Sequence, residues 1–512
     1  MISFFICLSV LILGYCLYGN YAVKVFGIDD RVTPAVALED GVDYVPLPLW
    51  KTFLIQLLNI AGLGPIFGAL AGACWGPAVF LWITLGTIFC GMIHDFLVGM
   101  MSERLAGCSI AKLTGDYLGP AVKQIMFVFS VVLLILCGVT FTTGPASLID
   151  LLTDGVSDRN FWLIVLLIYY LLATFISIDK IIGKVYPIFG IFLLLMALGV
   201  GFGTFTGPYA VPEITLENLH PGGVPIWPVM FISVACGAIS GFHATQSPLM
   251  SRCITSEKEG RAVFMGAMVT EGIIALIWAA AGVAFYQGTG GLLEVIKNGQ
   301  AQAVYEICSG MLGKTGMVIA MIGVIACPIT SADTAFRSAR LTLADWLNLE
   351  QKPLKNRLLL TLPILLTAAF LTQIDVQVVW RYFSWSNQTL AMIALWTGAF
   401  FLHKNGRFFW LAAAPAAFMT AVSTTYILSA KEGLQLSTAV SYPVGIIFAA
   451  LCLGHFIYKT RTEHPDPEGE RAKQRAAVPQ VPADKPQGDG AAVADKNGQP
   501  ANPAKDQPRV RI

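Results

Sequence analysis

Apolar windows of about 17 to 25 residues, long enough to cross a hydrocarbon core as helices, fall at 2–19, 51–74, 77–100, 121–146, 161–178, 183–206, 226–250, 262–286, 315–338, 357–373, 381–402, 408–429 and 440–458. They predict an all-α polytopic membrane protein with about thirteen transmembrane helices. Two windows differ from ordinary spans. In 226–250, the stretch Cys236–Pro248 places two glycines, a histidine, hydroxyl and amide side chains and a proline at membrane depth; in 51–74, Asn59–Gly68 carries another Gly/Pro interruption. Such residues weaken the helical ladder, and broken backbone survives in a bilayer only where protein or a water-filled cavity satisfies it. Each break alone reads equally as a kink packed through small residues. The two lie five spans apart, an odd number, so two five-span units would be inverted relative to each other, and paired breaks at matching positions of inverted halves point to the central site of a secondary transporter.

The expected organisation is an N-terminal helix and loop (1–50), a first five-helix repeat (51–206), a second (226–403), two accessory helices (404–458) and a disordered cytoplasmic tail (459–512) rich in Pro, Ala, Gly, Lys and Asp. The first apolar run lacks a preceding basic residue and a small-residue cleavage site, so it reads as a retained span.

Charge refines this picture. Only 13% of the 512 residues are charged against 55% hydrophobic, and the basic residues sit in loops. With the N-terminus outside, eighteen Lys and Arg fall in inner loops and five in outer ones, which places the C-terminus in the cytoplasm of a bacterial inner membrane. The net charge of +1 says nothing about nucleic acid, because the charges lie in loops and the tail and not in a basic patch, and no nucleic-acid partner is expected. The eleven cysteines show no C-x-x-C spacing, so no disulfide framework or zinc site is expected.

Several separated motifs occur in order: Val25-Phe-Gly-Ile-Asp-Asp-Arg-Val-Thr-Pro-Ala35, Asp40-Gly-Val-Asp-Tyr-Val-Pro46, Ile60-Ala-Gly-Leu-Gly-Pro65, Trp82 through His94-Asp95-Phe96, Ser240-Gly-Phe-His243, Thr330-Ser-Ala-Asp333 with Arg337, and Arg381-Tyr-Phe-Ser-Trp-Ser-Asn-Gln388. Over roughly residues 1 to 455 the chain resembles the carbon starvation protein A (CstA) family. The resemblance implies uptake of peptides or pyruvate when nutrients run short, and a LeuT-like (APC superfamily) core of five plus five inverted helices, here with one extra N-terminal and two extra C-terminal helices. In longer members a pair of histidines precedes the Ile-Ala-Gly motif; this chain has Gln56-Leu-Leu-Asn59 instead, which puts any coupling role of those histidines in doubt here.

Half-helix N-termini suit a carboxylate, and unwound carbonyls suit a cation. The expected substrate-binding positions are therefore Gly62, Gly64, Pro65, Gly237, Ser240, Gly241, His243, Thr245 and Gln246, with Gly64 and Gly241 close together and His243 and Gln246 facing a cavity. His243 reads equally as a histidine bonded within the protein. By resemblance to LeuT-like sodium symporters, Ala61, Thr330 and Ser331 form a sodium-site hypothesis, against which the hydroxyls would bond to their own helix. Glu271 lies about 14 Å into its span without a basic neighbour one turn away, and is either the proton-coupling carboxyl or a neutral structural group. Asp333, a further ion-coupling candidate, pairs most simply with Arg337. His94 and Asp95 are expected to pair with Arg104 near the cytoplasmic end, and Asn387 and Gln388 to bond across the bundle, gate the pathway, or both.

No Walker-type motif or H-E-x-x-H cluster is present, so ATP-driven transport and membrane-embedded catalysis have no sequence support. The reading is a symporter driven by H+ or Na+ for a peptide or small carboxylate, with no other cofactor; a sensor or channel with a transporter-like body is the alternative.

Overall fold

A computed structural model of the chain describes residues 1–478 except 42, 154–156, 176–177, 235, 298 and 352, with only the backbone described for 178–185. The described residues form helices and connecting turns. Fourteen helices carry the argument: α1 (Ile2–Phe26), α2 (Leu49–Ala61), α3 (Ala78–Arg104), α4 (Pro120–Thr153), α5 (Arg159–Ala173), α6 (Ile178–Thr206), α7 (Gly241–Ser251), α8 (Glu257–Phe285), α9 (Gln300–Leu347), α10 (Leu354–Leu371), α11 (Val376–Lys404), α12 (Trp410–Ser429), α13 (Thr438–Thr462) and α14 (Pro467–Ala477).

Among the described residues, nine helices are long and apolar enough to span a membrane, ten when α2 is joined to its continuation Gly64–Trp75 across a 51° bend. Of the other predicted windows, 161–178 yields only the 15-residue α5, and 226–250 is broken. The third, α11, has the length at 29 residues but carries Arg381, Asn387 and Gln388. The broken helices lie among buried elements, whereas α1 and α13 are only 22% buried over their most apolar windows and form the rim.

The loops separate into two sets at opposite ends of the bundle. At one end Met1 binds Glu213, Thr289 donates to the Leu219 carbonyl and Arg381 pairs with Glu432. At the other, Arg104 pairs with Glu257, Arg252 donates to the Gly107 carbonyl and Arg31 reaches Gln474. These are the same two groups of loops that the basic-residue count separates. Lys180, Lys184 and Lys352, which entered that count, lie outside the residues whose side chains are described.

The tail reading needs correction. Residues 459–462 complete α13, and 467–477 form α14, so no disorder begins at 459. The physical reason is tertiary: α14 is polar, but Tyr117 donates to Glu470 at 2.7 Å, Lys473 reaches Asp116 at 3.1 Å, and Asp466 donates its N–H to the Lys404 carbonyl at 3.0 Å. Residues 479–512 lie outside the described part.

Both predicted breaks are present. Gly62 ends α2 at φ 47°, ψ −131°, and a Cβ there would lie 2.4 Å from the Phe141 ring. Pro65 lacks an N–H, and the Leu63 carbonyl starts the next turn by accepting from Ile66 at 3.2 Å and Phe67 at 2.7 Å. In the second break, short turns at Ile226–Met230 and Phe231–Ser233 give way to non-helical backbone before Ser240, and α7 begins at Gly241. The breaks cross where a Cβ on Gly64 would sit 2.2 Å from the Cys236 Cβ. Gly64 abuts Cys236, while Gly241 packs against Asn387, Leu390 and Ala391 of α11.

Gly64→Ala is expected to lower thermal stability by about 1–3 kcal/mol through overpacking at this crossing. Gly290→Ala, where an added Cβ meets nothing within 4 Å, is expected to leave the melting temperature of the purified protein unchanged.

Candidate functional site

The non-helical backbone at Val234 and from Cys236 to Ser240 needs hydrogen-bond partners at membrane depth, and side chains from other helices supply them. The Asn387 Oδ1 accepts from the Phe242 N–H at 2.7 Å and from the Ser240 hydroxyl at 3.1 Å, capping α7 from α11. Gln388 Nε2 donates to the carbonyls of Val234 at 3.2 Å and Ile239 at 3.0 Å. Thr87 of α3 donates to the Gly237 carbonyl at 3.0 Å. Asn387 and Gln388 thus bond across the bundle, and they bond to the break itself.

Starting α7 at Gly241 brings His243 between two carboxylates. Its Nδ1 lies 2.8 Å from Asp95 Oδ2, and its Nε2 lies 3.3 Å from Glu271 Oε2. The second Asp95 oxygen is 2.7 Å from His94 Nδ1. All four side chains are fully buried. Asp95 therefore accepts from both histidines and orients His243 so that Nε2 points at Glu271. A bare imidazole nitrogen and a carboxylate repel at that distance, so the contact requires a hydrogen carried by one or the other. Among the described residues neither Glu271 oxygen nor His243 Nε2 has a hydrogen-bond partner, so their 3.3 Å approach is a close contact and not a formed hydrogen bond. The arrangement sets two ionisable groups against each other, one on the broken helix and one on α8. Cys236 Sγ completes a group in which the Cys, His and Glu ligand atoms lie within 4.8 Å of one another, near enough for one small cation.

The expected Asp95–Arg104 pair is not formed. Arg104 lies nine residues further along α3, about 14 Å by helix rise, and donates instead to Glu257 at 2.7 Å and to the Gly27 carbonyl at 2.8 Å. Nor does His243 face an open cavity, since both of its nitrogens point at carboxylates. The Asp95–His243 contact spans 148 residues of chain. Its only sequence signal was that each partner is an ionisable group inside an apolar window.

The other candidates divide into those joined to this centre and those apart from it. Thr245 donates to the Phe242 carbonyl at 2.7 Å and accepts from Gln246 Nε2 at 2.9 Å. Gln56 of α2 donates to Ser247 at 3.3 Å, so α2 and α7 face each other here. On these facing helices Gln246 Oε1, Gln56 Oε1 and both side-chain polar atoms of Asn59 are buried without a hydrogen-bond partner. Buried amides that lack partners are costly and mark a polar surface suited to a polar ligand. Gln56 and Asn59 were noticed in the sequence only as a departure from a family pattern. Gly62, Gly64, Pro65 and Gly237 line the crossing through backbone and carry no polar side chain.

Of the sodium trio, Ser331 lies 2.9 Å from the Leu58 carbonyl near the end of α2 and 3.1 Å from the Cys327 carbonyl of its own helix, and Ala61 is buried at that end of α2. Thr330 bonds back to the Cys327 carbonyl at 2.7 Å and borders an apolar cleft with Ile329 and Tyr169. Asp333 pairs with Arg337 at 3.5 Å and receives the Tyr186 hydroxyl at 3.5 Å. Asp333 and Arg337 face Tyr170, Arg340 and Thr361 rather than the His243 centre.

The sequence matches the carbon starvation protein CstA family over residues 1–153, 150–309 and 279–426. The chain belongs to that family. Among its relatives, a Haemophilus influenzae protein described as an uncharacterized membrane protein is 40% identical over 352 residues, covering 58% of this chain and 95% of its own. The peptide transporter CstA of Bacillus subtilis is 28% identical, covering 77% of this chain and 83% of its own. The pyruvate/proton symporter BtsT of Escherichia coli is 26% identical, covering 52% of this chain and 47% of its own. Among solved structures, a manganese transporter of Eremococcus coleocola aligns with a TM-score of 0.49 at 11% identity, covering 86% of this chain and 99% of that one.

For this CstA-family member, removing one partner of the buried Asp95–His243 pair is expected to cost about 3–5 kcal/mol. Thermal unfolding of Asp95→Asn, His243→Gln and the double variant should show strongly sub-additive losses; additive losses would mean the pair is not coupled.

Proposed function

We propose that this protein is a proton-coupled symporter that takes up peptides or a small carboxylate such as pyruvate across a bacterial inner membrane, with its N-terminus outside and its C-terminus in the cytoplasm. The relatives named as peptide transporters and as a pyruvate/proton symporter support the class. The observation that carries the coupling is His243 held between Asp95 and Glu271 at the crossing of two broken helices.

In this reading, a proton enters between His243 Nε2 and Glu271 and ties α7 to α8. Its loss leaves two acceptors opposed and favours separation of the broken helix from α8, coupling protonation to movement. The amides of Gln56, Asn59 and Gln246 meet the polar groups of the substrate, and the half-helix end at α7 favours its carboxylate. The two broken segments belong to a five-plus-five inverted repeat, which supplies the alternating access. A sodium-coupled version rests on the Ser331 hydroxyl at the Leu58 carbonyl; oxygen ligands of this kind suit a hard cation.

In proteoliposomes, pyruvate or a di- or tripeptide should accumulate only when a proton or sodium gradient is imposed, and a substrate-by-ion uptake matrix identifies both. Uptake unchanged after both gradients are collapsed would falsify symport. Glu271→Gln should sharply reduce proton-driven accumulation while preserving substrate exchange; equal loss of both would assign Glu271 a purely structural role.

A further inference from the structure

At the end of the bundle read as cytoplasmic, a cavity of about 600 Å³ opens between the loop after α1, the end of α3, the α11–α12 turn and α14. Arg31, Arg104, Arg407, Arg471 and Arg475 line it, opposed by Asp29 as the one lining acid. The volume lies within the range of small-molecule sites, about 300–1,000 Å³.

The five guanidinium groups are not equivalent. Arg31 donates to both Asp29 oxygens, at 2.8 and 2.7 Å, and to Gln474 Oε1 at 2.8 Å. Arg31 Nε also lies 3.3 Å from Glu257. Arg104 donates to both Glu257 oxygens, at 2.7 and 3.0 Å. Beside Arg31, the Asp29 carboxyl is held down to a pKa of about 2, so it stays ionised and keeps that arginine in place at neutral pH. These two arginines form a fixed, charge-compensated floor.

Arg407, Arg471 and Arg475 are exposed, and their guanidinium groups make no hydrogen bond or ion pair among the described residues. The bend at Gly27 holds Arg407 over the floor: a Cβ on Gly27 would meet its Nη2 at 2.5 Å, and the Gly27 carbonyl accepts from Arg104 at 2.8 Å. Arg471 and Arg475 are one turn apart on α14, on the side whose Gln474 touches Arg31. Unpaired arginines on the inner side of a membrane protein are ordinary when they are dispersed on a solvated surface. Three that converge with two braced ones on a single concavity form an uncompensated positive site.

We propose that this cavity binds a ligand carrying phosphoryl groups, recognised by the forked guanidinium donors of Arg407, Arg471 and Arg475. Planar N–H forks match phosphate oxygens bidentately, and each negative charge on the ligand offsets one of the three free cations. The phosphoryl group belongs either to a soluble phosphorylated metabolite or to an anionic lipid headgroup at the interface. Because α14 supplies two of the three free arginines, only the docked form of α14 completes the site, and ligand binding stabilises that docking by linkage.

The test uses the full-length protein in detergent at fixed ionic strength. Sodium pyrophosphate is titrated calorimetrically, and phosphatidylglycerol retention is read by native mass spectrometry. The comparison is with the triple variant Arg407→Gln, Arg471→Gln, Arg475→Gln. These side chains are exposed and unpaired, so the variant should keep the wild-type circular dichroism; if it does not purify, Arg471→Glu alone serves the same comparison. Saturable pyrophosphate binding that weakens about tenfold or more in the variant supports the site with a soluble ligand. Phosphatidylglycerol retention lost in the variant, without pyrophosphate binding, supports it with a lipid headgroup. Neither ligand binding, or either binding equally to wild type and variant, overturns the proposal.

Discussion

Everything at the centre of this protein depends on one requirement: backbone that leaves helical geometry inside a bilayer must find its hydrogen bonds elsewhere. Val234, Gly237, Ile239 and Ser240 meet it through Gln388, Thr87 and Asn387, which reach them from α11 and α3. Those bonds determine where α7 restarts, and the restart at Gly241 determines where His243 points. The polar residues of α11, which lower its hydropathy as a span, are the partners that make the break tolerable.

The same segment concentrates ionisable groups that would be costly if left single. Asp95, His243 and Glu271 come from three different elements and are fully buried, so each is acceptable only with the others in contact. Buried charge of this kind is poor evidence for stability, and its place at the crossing of two broken helices argues for a working role. The amide oxygens of Gln56 and Gln246 and the side-chain amide of Asn59, without partners among the described residues, belong to the same logic, since they sit on the helices that face each other at this crossing.

Charge also organises the end of the bundle that carries α14, by different means. There Glu257 is buried beneath Arg31 and Arg104, and the polar α14 rests on that platform through bonds to Tyr117, Asp116 and Lys404. A segment with no apolar periodicity is ordered because its polar side chains meet a prepared polar surface.

The sequence by itself determined the membrane class, the approximate positions of the spans, the two breaks and, through its ordered motifs, the family. Hydropathy and Gly/Pro breaks act over a few turns of chain, so they are legible locally. It did not reveal that Asp95 would face His243 instead of Arg104, that Gly64 would abut Cys236, that Ser331 would reach the Leu58 carbonyl as well as its own helix, or that α14 would form. Each of these was decided by the tertiary structure, because each rests on contacts between residues far apart in the chain, where no periodicity or spacing carries the information. Glu271 illustrates the boundary: its depth was visible from its place in the span, but its partner, His243 on a broken helix, came only with the fold.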